Sequence, residues 1–274
     1  MLVDFHTHTQ ASDGALEPSA LLQRAEETGL AMLAITDHDT LAGYFAVSQQ
    51  PSTQVSLIPG VELSCVWGAT TIHVVGLAFD PKAASINAVV SQLQRARLDR
   101  AEKIAQRLEK RGMAGALAGA KAIAQSSQLG RPHFARWMVE QGHVSDMNAA
   151  FDKFLGQGKV GDVKAFWPPL EDAVLAIVDA GGMAVLAHPL KYKFTRMKLN
   201  ALCAAFKSAG GLSLEIINGN QTTDETKQLS LLAQKWGFAV SVGSDFHRDW
   251  QFGARIGVDS ALAGGLPAVW EQFT

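Results

Sequence analysis

The sequence is poor in cysteine, in net charge and in long apolar runs. It has two cysteines among 274 residues, and neither has a second cysteine at metal-ligand spacing. This argues against a disulfide framework, indicates a reducing compartment, and predicts that Cys65 and Cys203 are small buried hydrophobic residues. The net charge is only −2, which argues against bulk electrostatic capture of nucleic acid but leaves room for a local cationic pocket.

The apolar runs are too short to cross a membrane, and the first residues resemble a strand and not a secretory signal. We therefore expect a cytoplasmic protein with no membrane contact and no obligate protein partner. Hydrophobic residues make up 47% of the sequence. This is ample for a large core, so the chain can form one barrel-sized domain or two smaller ones.

Predicted strands and helices alternate along most of the chain. The patterns predict helices over 18–29, 170–181, 198–209 and 223–236. They predict strands over 2–6, 31–36, 55–58, 71–78, 183–187, 213–217 and 238–242. Such alternation is typical of a parallel sheet or barrel, and hence of the α/β class.

A helical region interrupts this alternation. Between Ile86 and Arg111 the apolar residues fall at helical intervals, with basic residues between them, and helical patterns continue as far as residue 155. We predict that residues 99–164 form a small helical insertion that contributes to substrate binding. The barrel would then consist of residues 1–98 and 165–274.

Seven of the eight histidines stand in short motifs, and acidic residues lie beside or near several of them. His6 and His8 are two residues apart on a predicted strand, so their side chains project from one face. Imidazole and carboxylate are ligands that zinc, manganese and iron accept. The candidate ligands are His6, His8, Asp13, His38, Glu62, His73, His188, Asp245 and His247.

Each motif also has a simpler explanation when it is taken alone. Two histidines two residues apart can arise by chance, Asp13 can belong only to a turn, and His73 can be a core histidine. Asp39, which follows His38, can cap the next helix. However, five predicted strands end in histidine or acidic residues, and the C-terminal ends of barrel strands meet at one face. Their joint occurrence predicts a polynuclear metal site.

Six segments resemble the PHP (polymerase and histidinol phosphatase) family, in the family's order and over nearly the whole chain. They are D-F-H-T-H-T-Q-A-S-D-G, A-I-T-D-H-D-T, I-P-G-V-E, I-H-V-V-G-L, A-V-L-A-H-P and G-S-D-F-H. The resemblance implies an α/β protein, a distorted (β/α)7 barrel with an inserted small helical subdomain. It also implies a trinuclear metal centre at the C-terminal ends of the strands.

The resemblance further implies how the ligands are shared. His6, His8, Glu62 and Asp245 would hold one ion, and Glu62 would bridge to a second ion held also by His73 and His188. A third ion would be held by Asp13, His38 and His247. The expected cofactor is two to three divalent transition-metal ions. Manganese is the expected metal, with zinc and iron as alternatives.

The helical region resembles one branch of the family more closely. G-R-P-H-F-A-R, F-D-K-F-L-G-Q-G-K and W-P-P-L-E-D-A-V are similar to bacterial 3′,5′-nucleotide bisphosphate phosphatases, a branch that includes 5′-to-3′ exoribonucleases. This implies that a metal-bound hydroxide hydrolyses the 3′ phosphoester of a 5′-phosphorylated nucleotide or oligoribonucleotide. The alternatives are another phosphatase of the family, acting for example on histidinol phosphate, and a noncatalytic metal-binding module.

Five basic residues of the helical region are candidates for substrate binding. Arg131 and His133 flank a proline at a predicted helix start, which suits an anion site, although a solvated arginine would also fit there. Lys159 lies in a glycine-rich stretch that can contact phosphate or form a surface loop. Arg97 and Arg100 lie on a basic helix face that can simply be solvated.

Two amides and three departures from the branch complete the predicted site. Asn218 and Gln221 follow a predicted strand and are candidates to contact ribose or phosphate, although Asn218 with the next glycine is also a turn sequence. The branch has tyrosine where Asp162 stands and glycine and arginine where Leu190 and Lys191 stand. Lys191 keeps the positive charge without the bidentate geometry of arginine. These departures bear on substrate preference and leave the metal ligands unchanged.

Overall fold

The computed structural model describes residues 1–50, 54–125, 127–163, 167–249 and 253–273. The chain divides into two compact units. The first comprises Met1–Val90 with Pro168–Thr274, and the second comprises Ser91–Trp167. The second unit includes the range 99–164 that is predicted to be an insertion. Among the described residues, no helix is both long enough and apolar enough to cross a membrane.

Within the described residues, the first unit has eight strands in one sheet. They are β1 (Leu2–Asp4), β2 (Met32–Ile35), β3 (Ser56–Trp67), β4 (Thr70–Leu77), β5 (Met183–Leu186), β6 (Ser213–Asn218), β7 (Ala239–Gly243) and β8 (Val258–Asp259). The order is β7-β6-β5-β4-β3-β2-β1-β8. The Phe5 N–H donates to the Val242 carbonyl over 3.2 Å, and the Asp245 N–H donates to the His6 carbonyl over 2.8 Å. Strands β1–β7 therefore form a nearly closed barrel, as predicted, and β8 lies at the outer edge of β1.

The sheet is mixed and not wholly parallel. Pairs β1–β2, β2–β3, β5–β6 and β6–β7 are parallel, but β3–β4 and β4–β5 are antiparallel. The cause is a tight hairpin, in which Trp67 pairs with Thr70 and Gly68 adopts a φ of 58°. Strand β3 continues to this hairpin, so the predicted end at residue 58 is wrong. Glu62 lies within a strand and not after one.

The helices of the described residues match most of the predicted ones. They are α1 (Pro18–Thr28), α2 (Ala42–Val47), α3 (Ala84–Glu109), α4 (Ala116–Ala124), α5 (Arg131–Glu140), α6 (Met147–Ala150), α7 (Leu170–Asp179), α8 (Arg196–Ser208) and α9 (Thr223–Trp236). In the first unit, Gly76 of β4 allows α7 to approach closely, because a Cβ there would lie 2.9 Å from Ile177. The two cysteines are free and buried, as predicted.

The second unit has a hydrophobic core of its own. Ile104, Leu108, Phe134 and Met138 are buried in one cluster that involves α3 and α5. At the end of the predicted helical pattern, which continues as far as residue 155, the chain is α-helical in α6 and then forms a π-helical turn over Phe151–Leu155. This core means that the residues of the second unit are positioned by packing and not only by their connection to the barrel.

Candidate metal centre

The nine predicted ligand residues lie together in the first unit, and we refer to them as the ligand cluster. Most of them come from the segments that follow β1, β2, β5 and β7, where barrel strands end. His73 lies near the start of β4, but β4 runs antiparallel to β5. His73 therefore lies beside the end of β5, where the Ala187 N–H donates to the His73 carbonyl over 3.3 Å.

The ligand atoms form four overlapping groups, and within each group the atoms lie within 4.8 Å of one another. The groups are His8, Asp13, His38 and His247; His6, Glu62 and His188; His6, His8 and Asp245; and His38, Glu62 and His73. The proposed third-ion set is contained in the first of these. His73 and His188, proposed to share an ion, fall in different groups, although their facing nitrogens are 3.4 Å apart.

The Glu62 carboxylate is at the middle of the ligand cluster. It is only 1% exposed. Burial alone would raise the pKa of Glu62, but the charges of His38 and His73 outweigh burial and hold this pKa well below its ordinary value. Five imidazole nitrogens surround the carboxylate: His73 Nδ1 at 2.8 Å, His188 Nε2 and His38 Nδ1 at 2.9 Å, and Nε2 of His6 and His8 at 3.3 Å.

His8 is fully buried between other imidazoles. Burial, followed by the charge of the stacked His247, lowers the pKa of His8 to about 3. The neutral form of the ring is therefore strongly favoured. A neutral imidazole is the form that binds a metal ion.

Several buried atoms of the ligand cluster have no hydrogen-bond partner among the described residues. Buried polar atoms normally have one, so each exception needs an explanation. Carboxylates approach some of these atoms, but not in hydrogen-bond geometry. The atoms are His6 Nε2, both ring nitrogens of His8, Asp13 Oδ1, Glu62 Oε2 and His188 Nδ1. Nitrogen and oxygen atoms clustered in this way fit transition-metal ions, which would satisfy their lone pairs.

Glu215 is a buried acid beside the ligand cluster that the sequence motifs did not identify. One carboxylate oxygen lies 2.8 Å from His6 Nδ1, and the other accepts the His188 N–H over 2.6 Å and the Asn218 side-chain N–H over 3.1 Å. Glu215 is the one acid in the otherwise uncharged strand segment S-L-E-I-I-N of β6. A buried acid needs partners, and this signal could have identified it.

Two further buried acids hold the loops that carry ligands. Asp37 accepts the Thr9 N–H over 2.7 Å, the Thr9 hydroxyl over 2.6 Å and the Ser12 hydroxyl over 2.5 Å. These bonds order the segment between His8 and Asp13. Asp39 accepts the Ser64 N–H of β3 over 2.6 Å. It is not the N-cap of α2, which is Leu41, so the capping alternative is wrong.

Backbone strain is concentrated at the same end of the barrel. Asp39, His188 and Asp245 have φ values of 55°, 28° and 52°, in the region that disfavours residues other than glycine. Two of them are predicted ligands. Strained residues of this kind persist only where the surrounding structure determines them strongly, and they are common at functional sites.

The predicted amides and Lys191 also lie in the first unit. Asn218 is buried beside Glu215, whereas the Gln221 side-chain N–H groups donate to the Ile216 carbonyl of β6 and to the Thr226 hydroxyl of α9. Lys191 forms an ion pair with Asp245. Burial lowers the pKa of Lys191, but the Asp245 charge outweighs it and raises this pKa above its ordinary value.

The five basic candidates all lie in the second unit. Arg131 donates to the Leu155 carbonyl over 3.0 Å. Arg97 and Arg100 lie over the Trp167 ring at 5.4 and 5.8 Å from its centroid. Lys159 is exposed in a turn. Asp162, which stands where the branch has tyrosine, helps to form this turn, because its carboxylate accepts the Gly158 N–H over 2.8 Å.

His133 occupies the start of α5 in a way that differs from the predicted anion site. Its Nδ1 accepts the Gly130 N–H over 3.0 Å, and its Nε2 lies 3.2 Å from the Ser127 hydroxyl. Both ring nitrogens therefore have protein partners. This geometry is that of a helix cap, since a side chain three residues into the helix binds the backbone N–H of the N-cap.

The sequence is similar to those of several known proteins. Residues 4–81 match the model of the PHP domain family. A 3′,5′-nucleoside bisphosphate phosphatase of Chromobacterium violaceum is 37% identical over 99% of this chain and 96% of its own length. The 5′-3′ exoribonuclease Rnm of Escherichia coli is 40% identical over 100% of this chain and 94% of its own length.

The fold has a close counterpart among solved structures. An amidohydrolase from Chromobacterium violaceum with bound sulfate superimposes with a TM-score of 0.89 at 36% sequence identity, covering 99% of this chain and 95% of that chain. A protein from Bifidobacterium adolescentis shares the fold with a TM-score of 0.82 at 24% identity, over 96% of this chain and 94% of that chain.

Proposed function

Because this chain belongs to the PHP family of metal-dependent phosphoesterases, we propose that it hydrolyses the 3′ phosphoester of 5′-phosphorylated nucleotides. The substrates would be nucleoside 3′,5′-bisphosphates, such as adenosine 3′,5′-bisphosphate, and the 5′ ends of short RNA. Both reactions break the same bond, between phosphorus and the 3′ oxygen. The names of the two similar relatives from Chromobacterium violaceum and Escherichia coli support this substrate class.

The observation that carries the proposal is the arrangement of five imidazoles around the single carboxylate of Glu62. We propose that the ligand cluster holds two to three divalent ions, with manganese expected and zinc or iron as alternatives. Such ions supply an activated water nucleophile and neutralise charge on the phosphoryl and leaving oxygens. The low pKa of Glu62 favours the charged carboxylate, the form in which this residue would hold such ions.

Residues outside the ligand cluster would bind and orient the substrate. Lys191 pairs with Asp245, which belongs to the ligand cluster. Because the scissile phosphate would bind at the ligand cluster, the positive charge of Lys191 would lie next to it. We propose that Arg131 binds the 5′ phosphate, because a guanidinium recognises phosphate oxygens with several donors at once. Arg97, Arg100 and Lys159 are further candidates for contacts to phosphate. We assign His133 to the start of α5 and not to substrate, since both its nitrogens are bound within the protein.

One experiment compares this proposal with its alternatives. The manganese-loaded protein is incubated in parallel with adenosine 3′,5′-bisphosphate, a 5′-phosphorylated RNA oligomer and histidinol phosphate. Release of phosphate from the bisphosphate and of 5′-mononucleotides from the RNA is expected. Preferential hydrolysis of histidinol phosphate would favour the other phosphatase, and no turnover of any substrate would favour a noncatalytic module. A cytoplasmic location remains a prediction.

A further inference from the structure

A tyrosine outside the ligand cluster contacts two of its residues. After His188 the chain forms one short 3₁₀-helical turn over Pro189–Tyr192, and the residues on either side of this turn, His188 and Lys193, have φ values of 28° and 52°. Pro189 suits the first position of the turn because its ring fixes φ at about −65°. The turn brings the Tyr192 side chain back to the end of β5, where its hydroxyl also reaches β4.

The Tyr192 hydroxyl lies between β4 and the residue that follows β5. Facing residues of an antiparallel pair can exchange two direct backbone bonds. Here the Ala187 N–H donates to the His73 carbonyl over 3.3 Å, but the reverse connection runs through the hydroxyl. The His73 N–H donates to the hydroxyl over 2.9 Å, and the hydroxyl donates to the Ala187 carbonyl over 3.0 Å. Its one proton belongs to this bond, because the His73 carbonyl is farther away, at 3.4 Å.

The ring of Tyr192 contacts the second ligand residue. Its centroid lies 5.5 Å from that of the His188 imidazole, and the two rings meet edge to face at 64°. This is a favourable arrangement for two aromatic rings. One side chain therefore holds the backbone of His73 through its hydroxyl and packs on the imidazole of His188 through its ring.

The two imidazoles held in this way face one oxygen atom. His73 Nδ1 and His188 Nε2 lie 2.8 and 2.9 Å from the same oxygen of Glu62, and they lie 3.4 Å from each other. Ligand atoms that lie about 2.0–2.2 Å from one ion, at angles of about 90–110°, are about 2.8–3.6 Å from each other. The three atoms therefore have the spacing of ligands to a single ion. This spacing depends on the distance between β4 and the end of β5, where the Tyr192 hydroxyl is inserted.

We infer that Tyr192 is a positioning residue for a metal ion bound between His73 and His188, and that its hydroxyl sets the separation of the two imidazoles. Without this oxygen, the His73 N–H would either move to bond the Ala187 carbonyl directly or remain unpaired, and both outcomes disturb the position of His73. The inference rests on the proposed function, because it concerns one of the ions of the ligand cluster. It deepens that function by assigning the geometry of this ion to a residue outside the cluster.

Tyr192→Phe tests the inference, since it keeps the ring and removes only the hydroxyl. The metal-free full chain is titrated with manganese and with zinc, and calorimetry measures the affinity of each ion. One ion should bind about 10- to 100-fold more weakly, as when a group that orients a metal ligand is removed, and the others should keep their affinity. Tyr44→Phe, at the second of the chain's two tyrosines, is the matched control on α2 and should leave every affinity unchanged. Unchanged affinities in Tyr192→Phe, or equal weakening of every ion, would overturn the inference.

A double-mutant comparison tests whether the hydroxyl acts through His73. His73→Ala removes the imidazole and should weaken the binding of the same ion. Adding Tyr192→Phe to His73→Ala should then change this affinity little, because two residues that serve one interaction have non-additive effects. Losses that simply add would overturn the role of Tyr192 as a positioning residue for His73.

A measurement on the tyrosine itself does not depend on the folding of a Tyr192 variant. Because the chain has two tyrosines, incorporation of fluorotyrosine gives two fluorine resonances, and Tyr44→Phe assigns them. During zinc addition the Tyr192 resonance should shift at the binding step that is weakened in His73→Ala. A Tyr192 resonance that stays unchanged while zinc binds would overturn the inference, whereas a wild-type protein that binds neither zinc nor manganese would overturn the proposed function.

Discussion

His6 Nδ1 lies 2.8 Å from a carboxylate oxygen of Glu215, and both residues are buried. Because a carboxylate accepts only, Nδ1 carries a proton, and Nε2 is the nitrogen that would bind a metal ion. That Nε2 lies 3.3 Å from Glu62 and 3.4 Å from Asp245. The second oxygen of Glu215 accepts the His188 N–H over 2.6 Å. One buried carboxylate therefore orients two residues of the ligand cluster.

Glu215→Gln should weaken metal binding about 10- to 100-fold, the usual effect of removing a carboxylate that orients a histidine ligand. The amide keeps the shape of the side chain but cannot accept from both His6 and His188. Manganese and zinc titrations followed by calorimetry measure the affinity, and thermal unfolding of the metal-free protein measures the fold. Glu171→Gln, at an exposed position of α7, is the control. A lower melting temperature with unchanged metal affinity would show that Glu215 only supports the fold.

All nine residues of the ligand cluster are visible in the sequence as polar motifs, and most of them follow strands whose C-terminal ends meet at one face of the barrel. The sequence did not reveal that β3 continues past Glu62, since the hairpin with β4 depends on pairing between two strands. Glu215 was missed because its partners His6 and His188 are 209 and 27 residues away along the chain. The capping role of His133 depends on the side-chain conformation that brings its Nδ1 to the Gly130 N–H, which residue patterns do not determine.

The purified protein should contain two or three transition-metal ions per chain, because nine ligand-type residues lie in overlapping groups. Elemental analysis after manganese or zinc loading counts the ions directly, and chelation should abolish hydrolysis. Loading should also raise the melting temperature. An ion at 100 times its dissociation constant stabilises the folded state by about 2.7 kcal/mol. The absence of stoichiometric metal after loading would contradict this prediction.

Glu62→Ala should damage the enzyme more than His247→Ala does. Glu62 contacts five imidazoles, whereas His247 lies at the edge of the ligand cluster, 30% exposed and 3.3 Å from Asp13. Several kcal/mol of transition-state stabilisation depend on metal ions in such sites, so kcat should fall by about 1000-fold or more in Glu62→Ala. Steady-state kinetics and elemental analysis of both variants provide the comparison. Near-normal turnover and metal content in Glu62→Ala would show that the ligand assignment is wrong.

His133→Ala should destabilise the second unit without changing substrate preference. The substitution removes the bond from the Gly130 N–H to His133 Nδ1, a capping bond whose loss costs about 1 kcal/mol. Urea unfolding measures this cost, and kcat/KM is compared for adenosine 3′,5′-bisphosphate and adenosine 3′-monophosphate. A selective loss of kcat/KM for the bisphosphate, with an unchanged free energy of unfolding, would show instead that His133 binds phosphate.

Arg131→Ala should lower kcat/KM selectively for substrates that carry a 5′ phosphate. A charge-assisted hydrogen bond contributes about 1.5–3 kcal/mol, so a loss of roughly 10- to 150-fold is expected for adenosine 3′,5′-bisphosphate. Adenosine 3′-monophosphate has the same scissile bond without the 5′ phosphate, and its hydrolysis should change little.

The same comparison separates substrate binding from stability at this position. Arg131 also donates to the Leu155 carbonyl, so some loss of stability is expected, but it should affect both substrates equally. Arg136→Ala removes an exposed arginine from the same helix, where it pairs with Glu140, and it serves as the control. Metal content should remain unchanged in both variants, because neither residue belongs to the ligand cluster. Equal losses on both substrates in Arg131→Ala would mean that Arg131 only anchors α5 to the Leu155 carbonyl.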